Sequence, residues 1–147
     1  MTKKFKKILA LDFDGVIHAY TSGWKGPRII PDPPVDGALT WIENFIKNYC
    51  TVPDSYCAMA PDGDWEVCIF SSRSRYMGAR WAMRNWMLKH GFDPNLIAAV
   101  KFPTRKPPAI ITIDDRALCF TGTFPNPEDL VNFTPWNKGG PGAGENE

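Results

Sequence analysis

The chain is 147 residues long, 44% apolar and 22% charged, with a formal net charge of +1 at pH 7. That length and composition are ordinary for a soluble globular protein and argue for one domain with a sizeable core. The near-zero net charge excludes a global field that would draw the molecule to nucleic acid or to a membrane.

Residues 5–13 read as a buried strand with Ile8-Leu9-Ala10-Leu11 as its apolar centre. It ends in Asp12 and Asp14, one residue apart and followed by Gly15 and Val16. Residues 18–34 contain Gly23, Gly26, Pro27, Pro31, Pro33 and Pro34, a long irregular loop of the kind that is usually functional or disordered. Its Tyr20, Trp24 and Lys25 form a flap over the site or pack down on the domain; both readings stay open. Residues 36–49 read as a helix, because Ala38, Ile42, Phe45, Ile46 and Tyr49 recur at helical spacing behind the start signals Pro34 and Asp36. Residues 51–64 are Pro-, Gly- and Asp-rich and read as a loop. Residues 65–70 form a second apolar strand, with Val67, Ile69 and Phe70, that ends at Ser71-Ser72-Arg73. A second helix is expected over 77–90, with Ala79, Met83, Trp86, Met87 and His90 on one face and Gly91 as its stop. His90 reads as a cap or packing residue. Residues 96–102 make a short third strand. Residues 109–113 make a fourth, rich in β-branched residues and ending in Asp114-Asp115-Arg116. Residues 128–133 suggest a short helix, and the Gly-rich tail from 138 reads as disordered, leaving one domain over 1–137. Strands alternating with helices indicate a parallel sheet with crossover helices.

No apolar run approaches the roughly 20 residues of a transmembrane helix. Ile8 to Leu11 is too short for a signal-peptide core, so a cytoplasmic protein with no membrane contact is expected. Cys50, Cys57, Cys68 and Cys119 show no Cys-x-x-Cys spacing, which argues against zinc. Cys68 and Cys119 read as small buried hydrophobes, and a cytosolic setting argues against a Cys50–Cys57 link. Lys3, Lys4, Lys6 and Lys7 read as a solvated end. Arg73, Arg75, Arg80, Arg84 and Lys89 follow the second strand and either contact an anion or form the solvated face of the second helix.

Three strands thus end in chemically capable residues: Asp12 and Asp14, then Ser71 and Ser72, then Asp114 and Asp115. Parallel strands bring such ends to one edge of the sheet, where open α/β folds bind ligands. Closely spaced carboxylates repel unless a proton or cation separates them. Mg²⁺ is a hard cation that takes one or two carboxylates together with phosphate and water, so Asp12 and Asp115 are expected to share it. The physical reading is phosphoryl transfer. A metal-screened carboxylate is expected to act as nucleophile and form an aspartyl-phosphate, with Asp14 as the acid and then the base. A Ser hydroxyl and the Lys106 ammonium hold the phosphate oxygens as charge shifts.

Asp12-Phe13-Asp14-Gly15-Val16, Phe70-Ser71, Lys106 and Ile113-Asp114-Asp115 together resemble, in order, the four motifs of the haloacid dehalogenase (HAD) superfamily of phosphohydrolases. The resemblance spans residues 8 to about 116. It implies an α/β fold, a Rossmann-like three-layer sandwich around a central parallel sheet. It also implies Asp12 as nucleophile, Asp14 as acid/base and a backbone metal ligand, and Asp115 as the second metal-binding carboxylate. Ser71 is preferred to Ser72 because it comes first after the strand, and Lys106 is preferred to Arg105. Asp114 is left to orient Lys106 or an outer-shell water, while remaining a candidate ligand itself. Gly15, Ser72, Arg73 and Trp24 are the further expected substrate contacts.

Relatives with a separate cap domain insert it after the first or the second motif. The 56 residues from 15 to 70 and the 34 from 72 to 105 are taken up by the helices and loops above, so this chain resembles the capless members. Such members tend to act on large substrates, and the Ile-Asp-Asp-Arg run resembles that of nucleotide phosphatases. The expected function is a Mg²⁺-dependent phosphomonoesterase acting on a nucleotide or a nucleic-acid phosphate end, with Trp24 stacking on a base. A non-catalytic phosphate-binding module on the same fold and another phosphotransfer reaction of the superfamily are the alternatives.

Overall fold

β-Branched and aliphatic side chains at Ile8, Leu9 and Leu11 drive the first strand into the interior, and the computed structural model, which describes residues 5–52 and 63–140, builds outward from it. Strand β1 is Lys7–Leu11, β2 is Trp65–Ile69, β3 is Val100–Lys101 and β4 is Ile111–Ile113. The four strands form one sheet in the order β3-β2-β1-β4, every pair parallel. Leu11 stands opposite Ile69 on one side and Ile113 on the other. The chain is therefore α/β with a parallel sheet, compatible with a Rossmann-like arrangement.

Helix α1 spans Ala38–Tyr49 and α2 spans Ala79–Lys89. Each starts two residues later than the periodicity indicates, because the residue before it, Gly37 (φ 78°) or Gly78 (φ 79°), is left-handed and breaks the helical path. Leu9, Leu11, Val67 and Ile69 form one buried cluster with Leu39, Ile42 and Ile46 of α1 and Met83, Trp86 and Met87 of α2. Side chains alternate along a strand, so both helices cover the same face of the sheet. Ala10 and Cys68 point to the opposite face, buried but outside that cluster. Helix α3, Pro127–Val131, buries no side chain. Among the described residues, then, no helix supplies the second outer layer expected of a three-layer sandwich.

The expected third strand is mostly a 3₁₀ turn, Ile97–Ala99, followed by the short β3. The fourth strand loses its first two residues, and β4 remains exposed along its length at the edge of the sheet. His90 caps the C-terminus of α2 and packs on Trp86 with ring centroids 4.6 Å apart, as its position suggested. The tail read as disordered from 138 begins with structure: Trp136–Lys138 is a 3₁₀ turn. Its Trp136 indole donates to the Gly15 carbonyl at 2.8 Å. Residues 141–147, the basic Lys3 and Lys4, Cys57 and most of the 51–64 loop lie outside the described residues. Cys119 is exposed, not buried as read, whereas Cys50 and Cys68 are buried and unbridged. No described helix is long and apolar enough to cross a membrane.

Candidate active site

The register of the sheet assembles the site. One residue beyond the paired Leu11 and Ile113, the Asp12 N–H donates to the Ile113 carbonyl at 3.0 Å. That bond carries the strand pairing into the acidic ends of β1 and β4. Carboxylate oxygens of Asp12, Asp114 and Asp115 lie within 4.8 Å of one another. Asp12 uses Oδ1 to accept the Phe13 N–H at 2.8 Å, which leaves the second oxygen for other work. Asp114 is exposed and accepts the Arg116 N–H at 2.9 Å, not Lys106.

Asp115 is the unusual member. It is buried, neither carboxylate oxygen has a hydrogen-bond partner among the described residues, and its nearest cation is the Arg116 Nε at 3.6 Å. A buried carboxylate without partners is costly. Burial, then the charge of Asp114, push the Asp12 carboxyl up to about 8, with Asp115 adding to the effect. Burial raises Asp115 as well. Three acids with this few internal partners need a proton or a cation, and an all-oxygen donor set suits Mg²⁺. Gly15 makes room for the cluster. Its φ is +83°, and a Cβ there would collide with the Asp115 carboxylate.

Asp14 faces a different environment. Its Oδ2 accepts from Arg73 Nε at 2.7 Å and its Oδ1 accepts from His18 Nδ1 at 2.8 Å. Burial would raise its carboxyl, but the hydrogen bonds from His18 and Arg73, with the charge of Arg73, outweigh it and hold the group below the usual carboxylate range. His18 is fully buried, and its Nε2 accepts the Asp32 N–H at 3.1 Å. An accepting Nε2 puts the proton of a neutral imidazole on Nδ1, so His18 donates to Asp14. Asp32 is anchored in turn by Ser22, whose N–H and hydroxyl both donate to it.

The expected site residues separate into groups. Asp12, Asp14, Gly15, Asp114 and Asp115 come together. Ser71 is buried at the end of β2, where its hydroxyl oxygen accepts the Arg73 N–H at 3.2 Å, while Ser72 is exposed. Arg73 is not an open phosphate ligand. It is fully buried, and besides Asp14 it donates through Nη1 to the carbonyls of Gly26, Pro27 and Ile29 at 2.8–3.2 Å. Its Nη2 has no hydrogen-bond partner among the described residues. Trp24 lies over Arg73, 4.8 Å from guanidinium to ring. Lys106 is exposed and, among the described residues, bonds to no carboxylate. His18, Asp32 and Trp136 were not singled out from the sequence. The spacing of Asp14 and His18, four residues apart, was the one available signal, and it was hidden because residues 13–18 form a single tight turn around the Phe13 carbonyl. No family model, no curated protein and no solved structure matches this chain.

Proposed function

We propose that this chain is a Mg²⁺-dependent phosphomonoesterase of the HAD type, working through a phosphoryl group carried on Asp12. The observation that supports it is the buried Asp115 carboxylate, without a hydrogen-bond partner among the described residues, beside Asp12 and Asp114. This donor set fits a hard divalent cation held by Asp12 and Asp115, with Asp114 at its exposed side. Mg²⁺ bound there supplies positive charge that screens the acids from a phosphate dianion and stabilises the transferring group.

The free oxygen of Asp12 attacks phosphorus, and the bond from phosphorus to the leaving oxygen breaks. Asp14, in its protonated form, gives that oxygen a proton. Water then attacks the phosphorus and loses its proton to Asp14, and the bond to Asp12 breaks to release inorganic phosphate. His18 and Arg73 aim the Asp14 carboxylate and lower its proton affinity, which makes it a stronger acid toward the leaving oxygen in the first step; the proton it takes from water in the second step restores it for the next turnover. The Ser71 hydroxyl, buried just beyond the end of β2, is the expected donor to the phosphate oxygens.

Lys106 favours a second reading. An exposed lysine that pairs with no carboxylate among the described residues leaves the cation of the third motif out of the cluster, as in a phosphate-binding module that does not turn over. Release of phosphate from an aryl phosphate separates the two. The enzyme reading expects Mg²⁺-dependent release that disappears in Asp12→Asn, and beryllium fluoride trapped on Asp12. Activity that survives in Asp12→Asn overturns the mechanism, and Mg²⁺-dependent phosphate binding without release establishes the module.

A further inference from the structure

From Ser71 to Phe92 the chain carries Arg73, Arg75, Arg80, Arg84 and Lys89 and no Asp or Glu, although the whole molecule has a net charge of only +1. Arg73 is used internally. Arg75, Arg80 and Arg84 are exposed, and among the described residues none of them pairs with a carboxylate. Arg80 donates to the neutral Phe102 carbonyl, and Arg75 lies over the Tyr76 ring and donates to its hydroxyl, so each meets a neutral partner. Arg28, also exposed and in no ion pair among the described residues, comes from the 18–34 loop and rests against Gly78 at the start of α2. Solvated helix faces usually mix signs or carry Glu–Lys pairs, and this one does neither.

Aromatic rings stand among these cations. Trp24 is 43% exposed and Tyr76 39% exposed, with ring centroids 6.2 Å apart. Trp24 reaches the catalytic acids through Arg73, whose guanidinium touches both the indole and Asp14. Trp81, 69% exposed, sits on α2 between Arg80 and Arg84. Uncompensated arginines interleaved with exposed rings are what single-stranded nucleic acid requires, charge for its backbone and flat faces for its unstacked bases.

We infer that α2 and the turn leading into it bind a single-stranded polynucleotide whose terminal phosphate enters the Asp12 site, Trp24 and Tyr76 meeting the terminal bases. The inference rests on the phosphomonoesterase reading for the fate of that phosphate. An acidic peptide would satisfy the arginines but give the rings no planar partners. A bilayer would need a continuous apolar face, but that of α2 is buried in the core, and the exposed Ile29, Met77 and Trp81 stand among arginines.

The test uses the full chain carrying Asp12→Asn, with Mg²⁺, and follows the anisotropy of labelled twelve-nucleotide single strands ending in 3′- or 5′-phosphate. A phosphorylated strand is expected to bind at least about tenfold more tightly than a nucleoside monophosphate, since each stacked base is worth about tenfold. Log affinity is expected to fall with log salt at a slope of about −2 to −3, for three or four neutralised phosphates. Trp24→Ala should lose about tenfold, and Trp81→Ala, at a position too exposed to matter for folding, should weaken binding in the same direction. Equal affinity for strand and mononucleotide overturns the inference, as does equal binding of polyglutamate or phosphatidylserine vesicles. Aryl-phosphate turnover by the unmodified chain is read in parallel. Turnover without strand preference overturns this inference alone, whereas strand binding without turnover supports the surface and overturns the enzymatic reading.

Discussion

His18 sets the state of Asp14 although it lies outside every strand-end motif. Its imidazole is locked by Phe13 and Trp86 rings at 5.7 and 5.6 Å and by the Asp32 N–H, so Nδ1 has one role, donation to Asp14. His18→Ala should therefore lower kcat for aryl-phosphate hydrolysis by about tenfold to a hundredfold, a share of what general acid–base catalysis contributes. The Mg²⁺ requirement should not move. His18→Asn, whose amide nitrogen falls where Nδ1 does, should recover most of the rate; an Asn variant no better than Ala would show that packing alone is at stake. Gly15 is constrained twice, by a left-handed φ and by the Asp115 carboxylate. Gly15→Ala should cost about 1–2 kcal/mol in backbone strain alone and also displace Asp115. Calorimetric titration should then show weakened Mg²⁺ binding, and unchanged binding would remove Asp115, as oriented here, from the ligand set.

The 18–34 loop and α2 are separate in sequence and tied together by one side chain. Arg73 spends its Nη1 on three loop carbonyls and its Nε on Asp14, all within the interior. Removing one partner of a buried ion pair costs about 3–5 kcal/mol, so Arg73→Ala should destabilise by that order. It should also free the loop, so that trypsin cuts at Lys25 and Arg28 sooner than in the unmodified chain. Arg73→Lys should not rescue either effect, because an ammonium lacks the planar fork that serves carboxylate and carbonyls together; full rescue by Lys would reduce the strap to a point charge. The main elements were legible because period and composition are local: Leu9, Leu11, Val67 and Ile69 alternate, and Ile42, Ile46, Met83 and Met87 recur at helical spacing. The acidic cluster was legible too, since alternation of strands and helices implies parallel pairing, which brings the strand ends to one edge of the sheet. The strap was not. Arg73 and Asp14 are 59 residues apart, and an arginine after a strand gives no sign of whether it will face water or the interior. Nor could pattern show that the stretch read as a third strand is mainly a 3₁₀ turn, because short apolar runs fit either.

Across the whole molecule, one end of the sheet carries concentrated negative charge that the fold does not neutralise by itself. Two groups respond to pH with opposite signs. Asp12 titrates at about 8 in the fold against an ordinary 3.8, so its stabilising contribution is complete below the ordinary value and is lost as pH rises through about 8. Asp14 is depressed, so its contribution is present above the ordinary value and is lost as pH falls through its folded one. Metal-free protein should consequently lose stability as pH climbs from near 4 towards 8. On the proposed mechanism Mg²⁺ takes the place of the proton at Asp12, so its effect should grow over the same interval. At a concentration about a hundredfold above its Kd, a ligand of the folded state adds about 2.7 kcal/mol, which in a chain of this size raises Tm by about 5–10 °C. Thermal melts at about pH 5.5 and pH 8, with and without Mg²⁺, should show the larger rise at the higher pH, because protons compete for the same carboxylates. Asp115→Asn removes a buried charge whose oxygens have no hydrogen-bond partner among the described residues. That variant should melt higher than the unmodified chain without metal at pH 8 and gain little from Mg²⁺. A Mg²⁺ shift of equal size at both pH values, or one that survives in Asp115→Asn, would place the cation somewhere other than the ends of β1 and β4.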